Sequence, residues 1–265
     1  MADALTCART HGRVPQDLAG APELVRRYEQ GTPPVKALLK VAMDARRLGA
    51  GLHLPQAFLI DAAADYLTDH DQLTEDWAEA ALAALACPAH QAPLRRTTPR
   101  HPRRPLGLPA AATTPLPVSG PVFRLADYLE EHGRTTRRRL CPPASVWHAA
   151  HTHLTDPDDL HNLATAAVDR QRLQWAYHLW CKAADAGHPD ALLRLAGLRE
   201  RVGDREGAET LARQAADADY VAGDQEGAET LYWQAADTGE SLLGIETRRW
   251  PYGLDPDGSP TPPWL

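Results

Sequence analysis

The chain has 265 residues and a formal net charge of −7, with 43% hydrophobic and 24% charged residues, a balance that suits one large or two modest domains with a buried core. No run approaches the roughly 20 apolar residues that cross a bilayer. The opening MADALTCARTHGRV also lacks the apolar centre of a secretory signal, so a cytoplasmic protein without a membrane partner is expected.

The apolar residues are chiefly Ala and Leu, with two Phe and two Met, and this favours helices over sheets. Cys7, Cys87, Cys141 and Cys181 are far apart and show no CxxC spacing, which indicates neither a zinc ribbon nor a disulfide framework and reads as four reduced thiols. Lys occurs only at 36, 40 and 182, and the Arg, Ala and Pro bias resembles that of a high-GC bacterial genome.

Residues 1–87 read as a small helical bundle. Pro22 starts a helix that ends near Gly31, with Leu24, Val25 and Tyr28 on one face. Pro34 starts a second, running to Leu48 through Val35, Leu38, Leu39, Ala42 and Ala45. Pro55 opens a third through Leu59, Ala62, Ala63 and Tyr66, and Thr74 caps a fourth that buries Trp77, Ala81, Leu82 and Leu85.

Residues 88–121 are dense in Pro and read as an extended linker. The segment 88–141 carries ten basic and three acidic residues between two acidic flanks. Arg95, Arg96, Arg100, Arg103 and Arg104, extended by Arg137, Arg138 and Arg139, have the charge to touch phosphates, but no aromatic residues are interleaved with them and no recognition motif accompanies them. A solvated linker is the preferred reading, and a nucleic-acid adaptor the alternative.

Residues 122–154 read as connecting helices. GPVFRLADYLEEHG predicts an amphipathic helix from Gly120 to Gly133, and Pro142 or Pro143 restarts a helix carrying Val146 and Trp147. His148 and His151 can share a helix face, with His153, His161 and Cys141 nearby, and Cys87 with His90 forms an isolated CxxH. Without an HExxH carboxylate these read as solvent-facing histidines, and no metal or cofactor is expected. Asp156, Asp158 and Asp159 in TDPDDL read as an N-cap and first helical turn.

From residue 155 the chain repeats. PDDLHNLATAAVDR at 157–170 aligns with PDALLRLAGLRERV at 189–202, and Ala176, Leu179, Ala183, Ala184 and Asp185 align with Ala208, Leu211, Ala215, Ala216 and Asp217, always at the offset that separates Pro157 from Pro189. Each unit is a first helix, a turn and a second helix ending in AAD, with a stripe that only neighbouring units can bury. The phrase GDREGAETLARQAADAD recurs twenty residues later as GDQEGAETLYWQAADTG, a spacing that leaves no room for a first helix. The units are therefore 155–186, 187–218, a shortened 219–239 and a terminal helix at 240–249, followed by a Pro-rich tail at 250–265.

Gly187 is placed as a left-handed stop, whereas Asp219 stands where a glycine is expected, so the helix from about Arg205 should run through Tyr220 to near Gly223. Tyr232 would then fill the volume left by the missing helix, and the tail would cover the end of the array.

KAADAGHPDALLRLAGL and GDREGAETLARQA resemble the Sel1-like branch of tetratricopeptide-type repeats over about 155–239, with a unit slightly shorter than the tetratricopeptide length of about 34 residues. AMDARRLGAGLHLPQAFLIDAAADYLTD, LTEDWAEAAL, GPVFRLADYLEEHGR and LCPPASVWHA resemble the helical region after the nucleotidase module of large signalling (STAND-like) ATPases. No GxxxxGK[ST] loop is present, so the resemblance does not extend to ATP hydrolysis.

The expectation is an all-α protein: a helical bundle joined by a Pro/Arg-rich linker to a short right-handed solenoid of helical hairpins. It implies a non-catalytic scaffold that binds a protein partner through Leu193, Arg194, Gly197 and Arg201 of a first helix, with Trp233 as an anchor. The alternative from another class is a separated part of a signalling ATPase that works with a nucleotidase domain on another chain.

Overall fold

The computed structural model describes residues 21–68, 76–86, 92–97, 120–201, 203–222, 252–255 and 259–262. The described residues fall into two compact units, one ending at His153 and one beginning at Leu154.

The first unit is built around one helix. After α1 (Ala21–Gln30), α2 (Pro33–Arg47) buries Ala37, Leu38, Leu39, Val41, Ala42, Met43, Asp44 and Ala45, on all sides rather than along one stripe. Such a helix must be surrounded. Around it pack α1, α3 (Gln56–Ala62), α4 (Trp77–Ala86) and α5 (Asp127–Thr136), and α6 (Ala144–His153) lies on α3. Pro33 and Pro34 occupy the first turn of α2, and Pro55 the N-cap of α3, positions where a missing N–H costs nothing. The expected third helix stops at Ala62 and continues as a 3₁₀ turn at Ala64–Tyr66. Thr74 lies outside the described residues.

The described residues are mostly helical, as expected, with one small three-stranded antiparallel sheet beside the helices. Its order is β1-β3-β2, formed by β1 (Leu54–Pro55), β2 (Leu94–Thr97) and β3 (Val122–Leu125). The register sets Leu54 against Phe123 and Leu94 against Leu125. Within the Pro-rich segment 88–121, Leu94–Thr97 form a strand, and the helix expected from Gly120 begins only at Asp127. Val122, Phe123 and Leu125 are too few to distinguish a strand from a helix by period, and the partner that decides lies more than twenty residues upstream. The connecting segment thereby belongs to the first unit through His153.

The polar centre of this unit is Asp44, 0% exposed. Its carboxylate accepts from Arg137 Nε at 3.0 Å and Arg137 Nη2 at 2.7 Å, from Arg47 Nε at 2.6 Å, and from the Tyr66 hydroxyl. Burial, followed by the negative charge of Asp44, pushes the Tyr66 phenol well above its ordinary range. Alongside, Arg46 holds Glu130 by a two-pronged contact at 2.8 and 3.0 Å, and Arg134 adds a third at 2.6 Å. These pairs tie α2 to α5 and the turn after it.

The second unit begins with four helices in sequence: α7 (Pro157–Val168), α8 (Leu173–Asp185), α9 (Pro189–Arg201) and α10 (Arg205–Ala222), each packed on the next. Pro157 and Pro189 open the first helices, and Leu173 and Arg205 open the second helices at the same offset, as the alignment predicts. Leu160 and Leu192, Leu163 and Leu195, Ala164 and Ala196, and Ala183 and Ala215 are buried in matched pairs. Asp156 caps α7 by accepting from the backbone N–H groups of Asp158 and Asp159, which agrees with the reading of TDPDDL.

Gly187 takes a positive φ of 83° after α8, whereas α10 runs on past Asp219 to Ala222. The stop near Gly223, Tyr232, Trp233, the shortened unit and the terminal helix lie outside the described residues. Residues 253–255 of the tail lie against the turn between α7 and α8.

Candidate functional site

Leu193, Arg194, Gly197 and Arg201 all lie on α9, the first three half-buried and Arg201 exposed. The repeat places His161, Asn162 and Thr165 of α7, and Asp169 directly after it, at the equivalent positions, and their burial follows a similar pattern: His161 and Thr165 half-buried, Asn162 and Asp169 exposed. The two first helices therefore carry corresponding rows. The α7 row is polar where the α9 row has Leu and Gly.

His161 and His188 are joined here. Their rings are parallel to within 6°, with centroids 4.5 Å apart. His188 is the repeat counterpart of Asp156, at the N-terminal cap position, and does the cap's work: its Nδ1 accepts from the Ala191 N–H at 3.3 Å. An accepting Nδ1 leaves the ring proton on Nε2, which lies 3.3 Å from Asp158 Oδ1. His161 differs, because its Nδ1 is buried without a hydrogen-bond partner among the described residues. Burial and then the neighbouring His188 lower the His161 pKa, with Arg194 adding in the same sense while Asp190 and Asp158 oppose.

Two imidazoles stacked face to face do not pass a proton to each other, and no nucleophile is hydrogen-bonded to either among the contacts described. His148, His151 and His153 sit in the first unit, on α6, and His90 with Cys87 lies outside the described residues. On that helix His148 is exposed and His153 Nε2 lies 2.6 Å from Asp61 Oδ2. Cys141 and Cys181 are free thiols. Among the described residues no group of three His, Cys, Asp or Glu side chains is arranged to hold a metal ion.

The basic patch is also altered. Arg137 is committed to Asp44 and does not extend a phosphate-binding row. Arg95 and Arg96 are exposed on β2, with Arg95 opposite Arg124 on β3, and Arg100, Arg103 and Arg104 lie outside the described residues.

Two features escaped the sequence reading although the repeat carried their signal. His161 and His188 are departures from the matching Leu193 and Asp156, and Gln171 stands where the second hairpin has Gly203. Among the described residues no helix is long and apolar enough to cross a membrane. No protein-family model, curated protein or solved structure matches the chain.

Proposed function

We propose that the chain is a non-catalytic interaction scaffold whose α7–α10 hairpins work as a Sel1- or tetratricopeptide-like array, and that a protein partner binds along the first helices. The observation that carries this reading is the constant offset between matching helix starts and buried positions, which leaves the row Leu193, Arg194, Gly197 and Arg201 half-buried or exposed. Leu193 offers apolar surface, and Gly197, lacking a side chain, leaves room beside it. Arg194 and Arg201 favour a partner segment bearing carboxylates, with which guanidinium groups form paired hydrogen bonds. A cytoplasmic setting belongs to the same proposal, as does Trp233 as an additional anchor.

The test is affinity capture with the intact chain. Proteins retained by the wild type should be lost with Leu193→Asp and with the double variant Arg194→Glu, Arg201→Glu, while both variants keep the wild-type helical circular dichroism. Retention of the same proteins by both variants refutes the assignment of this face.

A further inference from the structure

The turn between α7 and α8 departs from its counterpart in a way the repeat makes visible. Gln171 has a φ of 59°, a conformation that glycine adopts freely and glutamine rarely, and at the matching place in the next hairpin the same backbone shape is taken by Gly203 at 85°. The next residue, Arg172, stands at the N-terminal position of α8 but makes no side-chain cap to its own helix, whereas Asp204, its counterpart, caps α10 through the Gly207 N–H at 2.9 Å.

What this turn holds instead is the C-terminal segment. The Leu254 N–H donates to the Gln171 carbonyl at 2.6 Å. Arg172 Nη1 donates to the Leu254 carbonyl at 2.8 Å and also to the Asp255 carbonyl. Gly253, with a φ of 92°, lies so close that an added Cβ would stand 2.7 Å from the Gln171 carbonyl oxygen and 2.9 Å from the Leu173 nitrogen. Those are backbone atoms that cannot swing aside, so only glycine fits.

The docked segment is also shaped by its own bonds. Asp255 N donates to Ser259 O at 2.8 Å, Thr261 N donates to Gly253 O at 3.0 Å, and the buried Thr261 hydroxyl donates to Asp255 Oδ1 at 3.0 Å. A turn that presents its carbonyls in a fixed arrangement loses less freedom on docking than an extended chain does.

We infer that residues 171–173 form a recognition site for a glycine-containing peptide turn of the pattern Gly-apolar-Asp, that the chain's own Gly253, Leu254 and Asp255 are its ligand in cis, and that an external segment of the same chemistry binds by displacing them. The site is separate from the first-helix row, and its test does not depend on that reading. Backbone groups and one guanidinium supply the contacts, so the specificity rests on the absent Cβ at the glycine and on the closed turn that follows.

Two measurements on the full-length chain test this. In the wild type the Leu254 amide should be protected from hydrogen exchange, and Gly253→Val should remove that protection while the α8 amides keep theirs. A labelled synthetic peptide of residues 252–262 should then bind Gly253→Val at least about tenfold more tightly than the wild type, because the tethered copy no longer competes. Adding Arg172→Ala to Gly253→Val should abolish peptide binding with helical content unchanged. Exchange of the wild-type Leu254 amide at the unfolded rate overturns the inference, as does a peptide that binds both proteins equally or fails to bind Gly253→Val.

Discussion

Arg137 reaches the fully buried carboxylate of Asp44 with two nitrogens, Nε at 3.0 Å and Nη2 at 2.7 Å, across 93 positions of sequence. The pair joins the centre of α2 to the turn after α5. Its worth lies less in attraction than in dependence: Asp44 has lost its water, and Arg137 has lost most of its own to a site where this carboxylate is its partner.

Asp44→Ala should therefore destabilise the first unit by roughly 3–5 kcal/mol, because it leaves Arg47 and Arg137 facing a carboxylate that is gone. Adding Arg137→Ala should restore part of the loss, since it removes one stranded cation. Urea unfolding of the two variants measures both effects, and a double variant less stable than the sum of the singles would contradict this account.

The matched leucines should behave alike. Leu163 is 0% exposed and Leu195 7%, at equivalent places in the two first helices. Each change to Ala should cost about 2–5 kcal/mol, with Leu195→Ala toward the lower end, where the site is less enclosed. A negligible shift at either position in thermal unfolding would show that the two hairpins do not share a core pattern.

Backbone shape at the hairpin turns gives a reciprocal pair. Gly203→Ala should cost about 1 kcal/mol, because alanine resists a φ of 85°. Gln171→Gly should gain up to about 1 kcal/mol by relieving the same strain, less what a freer unfolded chain returns. Opposite signs in thermal melts support the equivalence of the two turns, and equal signs contradict it.

Acidification should weaken the second unit through His161. The folded state lowers its pKa below the ordinary 6.5, chiefly by burial and then by His188, with Asp158, Asp190 and Arg194 also acting on the ring. The unfolded chain then takes up the proton more readily. The contribution is intact above that ordinary value and is lost as pH falls through the folded value. His161→Leu, which installs the residue found at the equivalent Leu193, should have a melting temperature that falls less between about pH 7.5 and about pH 5.5 than that of the wild type. An unchanged slope would mean that the stack carries no linkage.

The amino-acid sequence by itself determined the local and periodic features of this protein. The repeat period located the starts of α7, α8, α9 and α10, and the Pro residues located those of α2 and α3. Asp156 was recognisable as a cap, Gly187 as a stop and the run-on of α10 through Tyr220 as the consequence of a missing glycine. Each depends on residues within a few positions of one another, where side-chain chemistry acts on the nearest backbone groups.

The tertiary structure alone decided the pairing of Leu94–Thr97 with Val122–Leu125, the engagement of Arg137 by Asp44, the stacking of His161 on His188 and the docking of Gly253 at Gln171. These join residues between about 20 and 90 positions apart, where no period marks the partner. A short strand in a Pro-rich stretch, or an Arg in a basic run, has many partners compatible with its own sequence. Only the simultaneous burial of all the others selects one, because each unmet charge or backbone group that burial would create costs more than a single contact returns.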